Sequence, residues 1–207
     1  MNSLKNYLKK EGIGAVVKRA LTKVFHAKDS CTIFLRTCPG ALKPEKDENG
    51  TIELLTEANR AAFEVIKFWD FIQADDFINN LHQSVVMYRI RDEYIAYAAE
   101  EHESDRQIHG LGSFLLRDKE AWIGPVYVCR NWRGQGYNRR LLLYQMSRLN
   151  EMGVTTVYTA INSQNASSLR SFKNAGFTEI GTVNNSGEIV DDPERILARA
   201  FHKSPCK

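Results

Sequence analysis

The sequence predicts an α/β fold of the α+β kind, with a mostly antiparallel sheet and one parallel crossover, and three observations carry that expectation. Four strand-like runs, VVMYRIR, YIAYAAEE, IHGLGSFLL and AWIGPVYV, follow one another up to Val128 with polar turns RDE, HESDRQ and RDKE between them, the spacing of an antiparallel meander. The stretch RGQGYN (133–138) then separates a strand from a long helical run. Finally TTVYTAIN and SSLRSFKNAGF read as strand and helix, which makes the connection across RGQGYN a parallel one.

Before the meander, MNSLKNYLKKEGIGAVVKRALTKVFHAK (1–28) sets Leu4, Leu8, Val16, Val17, Leu21 and Val24 at mostly helical spacing with lysines opposite. Gly12 and Gly14 break it, since each costs about 1 kcal/mol relative to Ala within a helix. CTIFLRTC (31–38) reads as a strand, PGALKPEKDENG as a surface loop, and TIELLTEANRAAFEVIKFW as a short strand and a helix capped by Thr56. ADDFINNLH adds a second helix. Gly153 and Gly176 close the two later helices.

A chain of 207 residues suits one core with a short appendage. We therefore divide it into a basic amphipathic helical appendage, 1–28, and a main domain, 29–207. Lys5, Lys9, Lys10, Lys18, Arg19, Lys23 and Lys28 stand against Glu11 alone, a net +6, which leaves −3 on the rest of a chain whose total is +3. That asymmetry argues against a nucleic-acid groove across the fold and for a surface touched by the first segment. An anionic membrane surface, a second copy of the chain and the segment's own domain all fit it. Cys31, Cys38, Cys129 and Cys206 form no CxxC pair and no zinc-spaced cluster, so neither a disulfide framework nor a metal site is expected. With no apolar run near the ~18 residues of a membrane span, a cytoplasmic location, including the inner face of the membrane, is the expectation.

In RGQGYN, two glycines at a bend before a helix leave backbone N–H groups converging on one point, which suits a phosphate. The stretch is neither GxxxxGK[ST] nor GxGxxG. With its surroundings it resembles the GNAT superfamily, the GCN5-related N-acetyltransferases. The family's (Gln/Arg)-x-x-Gly-x-(Gly/Ala) is supplied by Arg133-Gly134-Gln135-Gly136-Tyr137-Asn138 after VYVCRNW. Its N-x-x-(A/S)-x-x-x-(Y/F)-x-x-x-G-F is supplied by Asn165, Ser168, Phe172 and Gly176-Phe177, and the resemblance spans about residues 50–183.

The resemblance implies a V-shaped splay between the central strands and acetyl-CoA as co-substrate. Backbone amides of Arg133 to Asn138 would hold the diphosphate, Val126, Tyr127 and Val128 would pair with the pantetheine arm, and Asn165, with Ser168 and Phe172 beside it, would complete the site. It implies acetyl transfer to a primary amine of a small molecule, with a carbonyl oxygen held by the Val128 N–H; the basic segment 1–28, where it lies on the inner face of a membrane, makes an amino sugar or another envelope precursor one candidate acceptor. Glu120, Glu100, His102 and His109 are the candidate bases, each equally a residue of a solvated loop or strand end. Trp122 reads as core.

Two residues depart from the pattern. Asn138 stands where Gly or Ala is usual, and Phe172 where many members carry a proton-donating Tyr. Phe has no proton to give, so the departing thiolate would take one from Tyr158, Ser168, water or the amine itself. The same residue motivates the alternative of a catalytically silent CoA-binding sensor or scaffold.

Overall fold

The computed structural model describes residues 30–40, 50–69, 72–102, 105–108 and 111–202. The segment 1–28, residues 41–49 of the expected loop and His109 lie outside them. In chain order the elements are β1 (Cys31–Thr37), β2 (Gly50–Leu54), α1 (Arg60–Ile66), α2 (Asp75–Ile78), β3 (Gln83–Ile90), β4 (Glu93–His102), β5 (Asp105–Ile108), β6 (Gly112–Leu115) and β7 (Glu120–Val128). There follow α3 (Tyr137–Glu151), β8 (Thr156–Asn162), α4 (Ala166–Asn174), β9 (Thr178–Asn184), β10 (Ile189–Asp191), α5 (Ile196–Ala200) and β11 (Phe201–His202).

The main sheet runs β10-β9-β1-β8-β7-β4-β3-β2, and the β7–β8 pair is its parallel one. Two placements differ from the expected order. The meander is not continuous: β4 pairs directly with β7, while β5 and β6 form a small second sheet with β11. Phe114 and Leu116, at and just beyond the end of β6, are why, for they insert over Phe34, Trp122 and Tyr158 and bury that face of the main sheet. The strand β1, which precedes the region of family resemblance, is driven between β8 and β9, with Phe34 opposite both Ala160 and Gly181. Its alternation explains the position, since Leu35 enters the core on one face and Phe34 the core on the other.

On one face lie α3 and α4. Two stripes of α3 are buried: Tyr137 and Leu141 pack on β3 and β4, while Leu142, Met146 and Leu149 pack over β7 and β8. Gly153, at φ 82°, ends that helix, as its position in the sequence predicts. On the other face α1 and α2 cover β3 and β4, and the small sheet with α5 covers β1, β8 and the start of β7.

The central strands part for a local reason. Against β4, Val126 lies opposite Ala98 and Ile123 opposite Glu100, so Gly124 and Pro125 together face the single residue Ala99. This is a bulge in β7, which bends the bulged strand, at a proline that has no N–H to donate and a glycine at φ 133°. Accordingly β7 and β8 pair over Glu120–Trp122 and Thr156–Tyr158 and not beyond. The V begins at the bulge.

Near the closed end of the V, α3 is fastened by buried polar groups. Glu100, 1% exposed, pairs through Oε1 with Arg148 Nη1 and accepts from Ser84 Oγ at 2.7 Å. Gln145, fully buried, donates from Nε2 to the Ala98 carbonyl beside the bulge at 3.3 Å. Removing one partner of a buried pair strands the other. Arg148→Ala is therefore expected to lower stability by about 3 kcal/mol in urea unfolding, and the double variant Glu100→Met/Arg148→Met to recover most of that loss.

Candidate active site

The turn after β7 is built as an anion cradle. Gly134 and Gly136 have φ 78° and 84°, the left-handed region that a side chain disfavours. Beyond the adjoining residues of the chain, no described heavy atom lies within 4 Å of where a Cβ would stand at either glycine, so the glycines serve the backbone and leave the space over the loop open. The first bond of α3 runs from Arg140 N–H to Gly136 C=O at 3.1 Å. The amides of residues 134–138 are not consumed by the helix, and the dipole adds favourable potential for an anion, whereas the Arg133 amide, expected among them, donates to the Arg130 carbonyl at 3.3 Å. Tyr137 anchors this end, 8% exposed, with its ring 5.1 Å from Tyr88 and 5.9 Å from Trp132. Arg130, Arg133, Arg139 and Arg140 surround the cradle in sequence, a concentration of charge that the reading of the glycines alone passed over.

Within the V, alternation divides β7. Cys129 N–H bonds the Ile95 carbonyl at 2.8 Å and Tyr127 faces Tyr97, so those residues spend their backbone on β4. The N–H and C=O groups of Val126 and Val128 therefore point toward β8, where the seam has opened. The Val128 carbonyl accepts from Arg133 Nε at 2.9 Å. Tyr127, expected with them as a cofactor contact, is turned away, because its ring stacks on Phe68 at 4.9 Å on the α1 face. Phe172 is likewise displaced from the expected role: it is 2% exposed and packed edge-on to Phe177 at 5.0 Å inside the core. Asn165 caps α4, its Oδ1 accepting from Ser168 N–H and Ser167 Oγ at 3.2 Å each. Its Nδ2 is the part that can reach a ligand.

The acid–base candidates separate. Tyr158 donates to Glu120 Oε1 at 3.0 Å, while Glu120 Oε2 accepts from Arg117 N–H at 3.0 Å. The structure thus joins Glu120 and Tyr158, as an internal bond at the paired end of β7 and β8. At 3.3 Å per residue that end is about 16 Å from Pro125. Burial first, and then the Glu120 carboxylate, push the Tyr158 hydroxyl up to about 12. Glu100 is sealed beneath α3, and the His102 ring lies 5.5 Å from that of His82.

On the face opposite α3, a cavity of about 340 Å³ lies over the bulge, lined by Ile72, Asp76, Phe77, Asn80, Gln83, Arg106 and Pro125. Beside it is a buried pair: Glu101, 5% exposed, accepts from Arg106 Nη1 and from Gln83 Nε2 at 3.0 Å each. With Asp76 these groups carry one net negative charge. Four elements supply them, so no local motif could have pointed to this set. A larger cavity, about 480 Å³, lies at the outer end of β7, against Val65, Tyr94, Tyr127 and Trp132.

A parted parallel pair, with a phosphate-sized cradle at its mouth, defines a cleft for a nucleotide cofactor with an extended arm. The sequence model of the Acetyltransferase (GNAT) family matches residues 49–177, and the chain belongs to that family, whose co-substrate is acetyl-CoA. A comparison with curated proteins finds no match. Among solved structures, a putative GNAT acetyltransferase from Novosphingobium aromaticivorans aligns at TM-score 0.53 and 17% identity, over 72% of this chain and 60% of its own. AAC(6')-Iy, in complex with the bisubstrate analogue CoA-S-monomethyl-acetylneamine, aligns at 0.53 and 13%, over 76% and 99%. A GCN5-related N-acetyltransferase from Kribbella flavida aligns at 0.53 and 18%, over 92% and 67%. At these identities the likeness is one of fold.

The open space above Gly136 yields one expectation: Gly136→Trp should fold, with the strain of a side chain at positive φ costing roughly 1–2 kcal/mol, and should lose CoA binding in calorimetry. A second concerns Tyr158. Between pH 10 and 12 the folded protein keeps this proton after the unfolded chain, with an ordinary value of about 10, has lost it. Stability from this group is thus complete below pH 10 and declines as pH rises through that window. Tyr97 is shifted the same way by burial, so thermal melts of Tyr158→Phe should show a shallower decline without abolishing it.

Proposed function

We propose that the chain is an acetyl-CoA-dependent N-acetyltransferase whose acceptor is a small, polar primary amine seated in the 340 Å³ cavity. The observation that carries this reading is the convergence of cradle and cavity from opposite faces on the bulge at Gly124–Pro125. An arm entering at residues 133–138 and running inward along Val126 and Val128 has its reacting end near Pro125, the residue that lines the cavity. The larger cavity lies at the cradle end of the same strand, too far out for that reacting end. A bisubstrate analogue of CoA bound to a protein of like fold supports a cleft of this two-sided kind.

Acetyl-CoA supplies the acetyl thioester, whose C–S bond is exchanged for a C–N bond to the amine: the bound ammonium first loses one proton to solvent, and the neutral nitrogen gives up a second as it attacks, the departing sulfur gaining one. The chain's own part is to place and polarise. Amides of Gly134 to Asn138 hold the diphosphate, and Asn165 Nδ2 donates to the arm. The N–H of Val126, beside the bulge, is the donor for a carbonyl oxygen gaining negative charge, while the N–H of Val128, two residues further out and expected from the sequence in that role, holds the arm. Asp76 attracts the ammonium form, and Asn80 and Gln83 offer amides to hydroxyl or amide substituents. With Arg106 paired to Glu101, Asp76 is the charge in the lining left to suit one cation, and the volume suits one small molecule. An amino sugar meets both conditions.

The competing reading, a silent CoA-binding scaffold, rests on the missing hydroxyl at Phe172. Release of thiol from acetyl-CoA in the presence of glucosamine, ethanolamine or hexylamine decides between them, release excluding the scaffold. Among accepted amines, we expect Asp76→Asn to raise KM about tenfold, the scale of a charge-assisted hydrogen bond, with kcat and CoA affinity nearly unchanged. An unchanged KM would remove Asp76 from the acceptor site.

A further inference from the structure

Asn138 occupies the first turn of α3, in the cradle, where the resemblance leads one to expect Gly or Ala. Its Oδ1 is buried and has no hydrogen-bond partner in the protein. A buried carbonyl without a donor is destabilising, a cost that a residue without a side-chain oxygen would avoid. Three other buried atoms share this condition among the described residues: Glu100 Oε2 and Gln145 Oε1 at the closed end beneath α3, and Arg106 Nε beside the acceptor cavity. Asn138 alone of the four belongs to the cofactor's end of the cleft.

The direction of its side chain follows from helix periodicity. Asn138 lies in line with Gln145, seven residues on, which bonds the Ala98 carbonyl of β4, and next to Leu142 and Leu149, which pack over β7 and β8, so it sits at the boundary between the two buried stripes of α3. Helical side chains lean toward the N-terminus, which here is the open end of the seam. Val126, whose backbone points into the seam, packs against the cores on both sides of the stripe boundary.

The chemistry of the atom selects its partner. A carbonyl oxygen accepts and does not donate, whereas an ionised diphosphate offers acceptors alone and would be repelled by it. The pantetheine arm carries two amide N–H groups and a hydroxyl, and it is the part of the cofactor that must pass between β7 and β8. We propose that Asn138 is a positioning residue for this arm, its Oδ1 accepting a hydrogen bond from one of those donors and fixing the depth to which the thioester reaches. The inference rests on the acetyl-CoA reading of the cleft and adds a side-chain contact to a cradle otherwise made of backbone.

The test is calorimetry on the full chain with two probes: CoA, and 3′,5′-ADP, which has the phosphates without the arm. In Asn138→Ala and in Asn138→Leu, which keeps the volume and removes the acceptor, CoA affinity is expected to fall about five- to tenfold, the scale of one hydrogen bond. Affinity for 3′,5′-ADP should stay within about twofold by the same reasoning, and the Tm of the ligand-free variants should hold or rise because the unpartnered acceptor is gone. Unchanged CoA affinity in both variants overturns the inference. So does an equal loss for both probes, which would mark a damaged cradle. Wild-type protein that binds neither probe would overturn the cofactor reading itself, and with it this contact.

Discussion

The bulge at Gly124–Pro125 is the constraint on which the rest of the site depends. A strand inside a sheet normally spends its backbone on both neighbours. Here two residues stand opposite one, the strand bends, and the hydrogen bonds to β8 stop at Trp122. The groups thereby released, on Val126 and Val128, would be a liability in an ordinary sheet because unpaired backbone inside a protein is costly. In this fold they line a slot that a linear cofactor can fill. The same bend puts Pro125 under the seam between two coverings of the opposite face, which is where the 340 Å³ cavity opens.

A slot of this kind needs a fixed depth, and α3 supplies it. The helix has its cradle at one end and its polar fastening to β4 at the other, about 20 Å away at 1.5 Å per residue. Burying Glu100 with Arg148 is not an efficient source of stability, since apolar replacements often serve as well. It does fix which residues of α3 meet which residues of β4, and the Gln145 bond to the Ala98 carbonyl is made at the bulge itself. The orientation of the helix and the bend of the strand are thus tied together. A small rotation of α3 would move the amides of residues 134–138 away from the line of Val126 and Val128.

What could be read from the sequence was what is local. The cradle, its long helix, the caps at Gly153 and Gly176 and the strand character of residues 120–128 and 156–162 all follow from patterns a few residues wide. Pairing partners do not. Nothing within CTIFLRT says that it will enter between strands more than a hundred residues away, and nothing in IHGLGSFLL says that Phe114 will draw its hairpin out of the main sheet. The displaced roles of Tyr127 and Phe172 have a similar origin, since a motif gives a residue its place along the chain and not the side to which its ring turns. The bulge left a local signal, since Gly-Pro within an apolar strand marks a break in the ladder, but the sequence reading takes AWIGPVYV as an uninterrupted strand, and the bulge appears only once its partners are seen.

This division bears on the choice between an enzyme and a scaffold. Holding CoA requires the cradle and the released backbone of β7, features of one face and one stretch of chain. It does not require a cavity on the other face lined by Asp76, Asn80, Gln83, Arg106 and Pro125 and backed by the buried Glu101 of β4. Loss of catalysis would leave such a set free to be replaced by apolar packing, which is the cheaper way to cover a sheet. The buried Glu101, held by Arg106 and Gln83, is an expensive arrangement to keep under an idle surface. Phe172 removes one source for a proton, and water reaching the open side of the cavity is another. The cavity face of the molecule thus supports the proposed turnover over an idle scaffold, and with it a substrate whose polar groups answer those of the cavity.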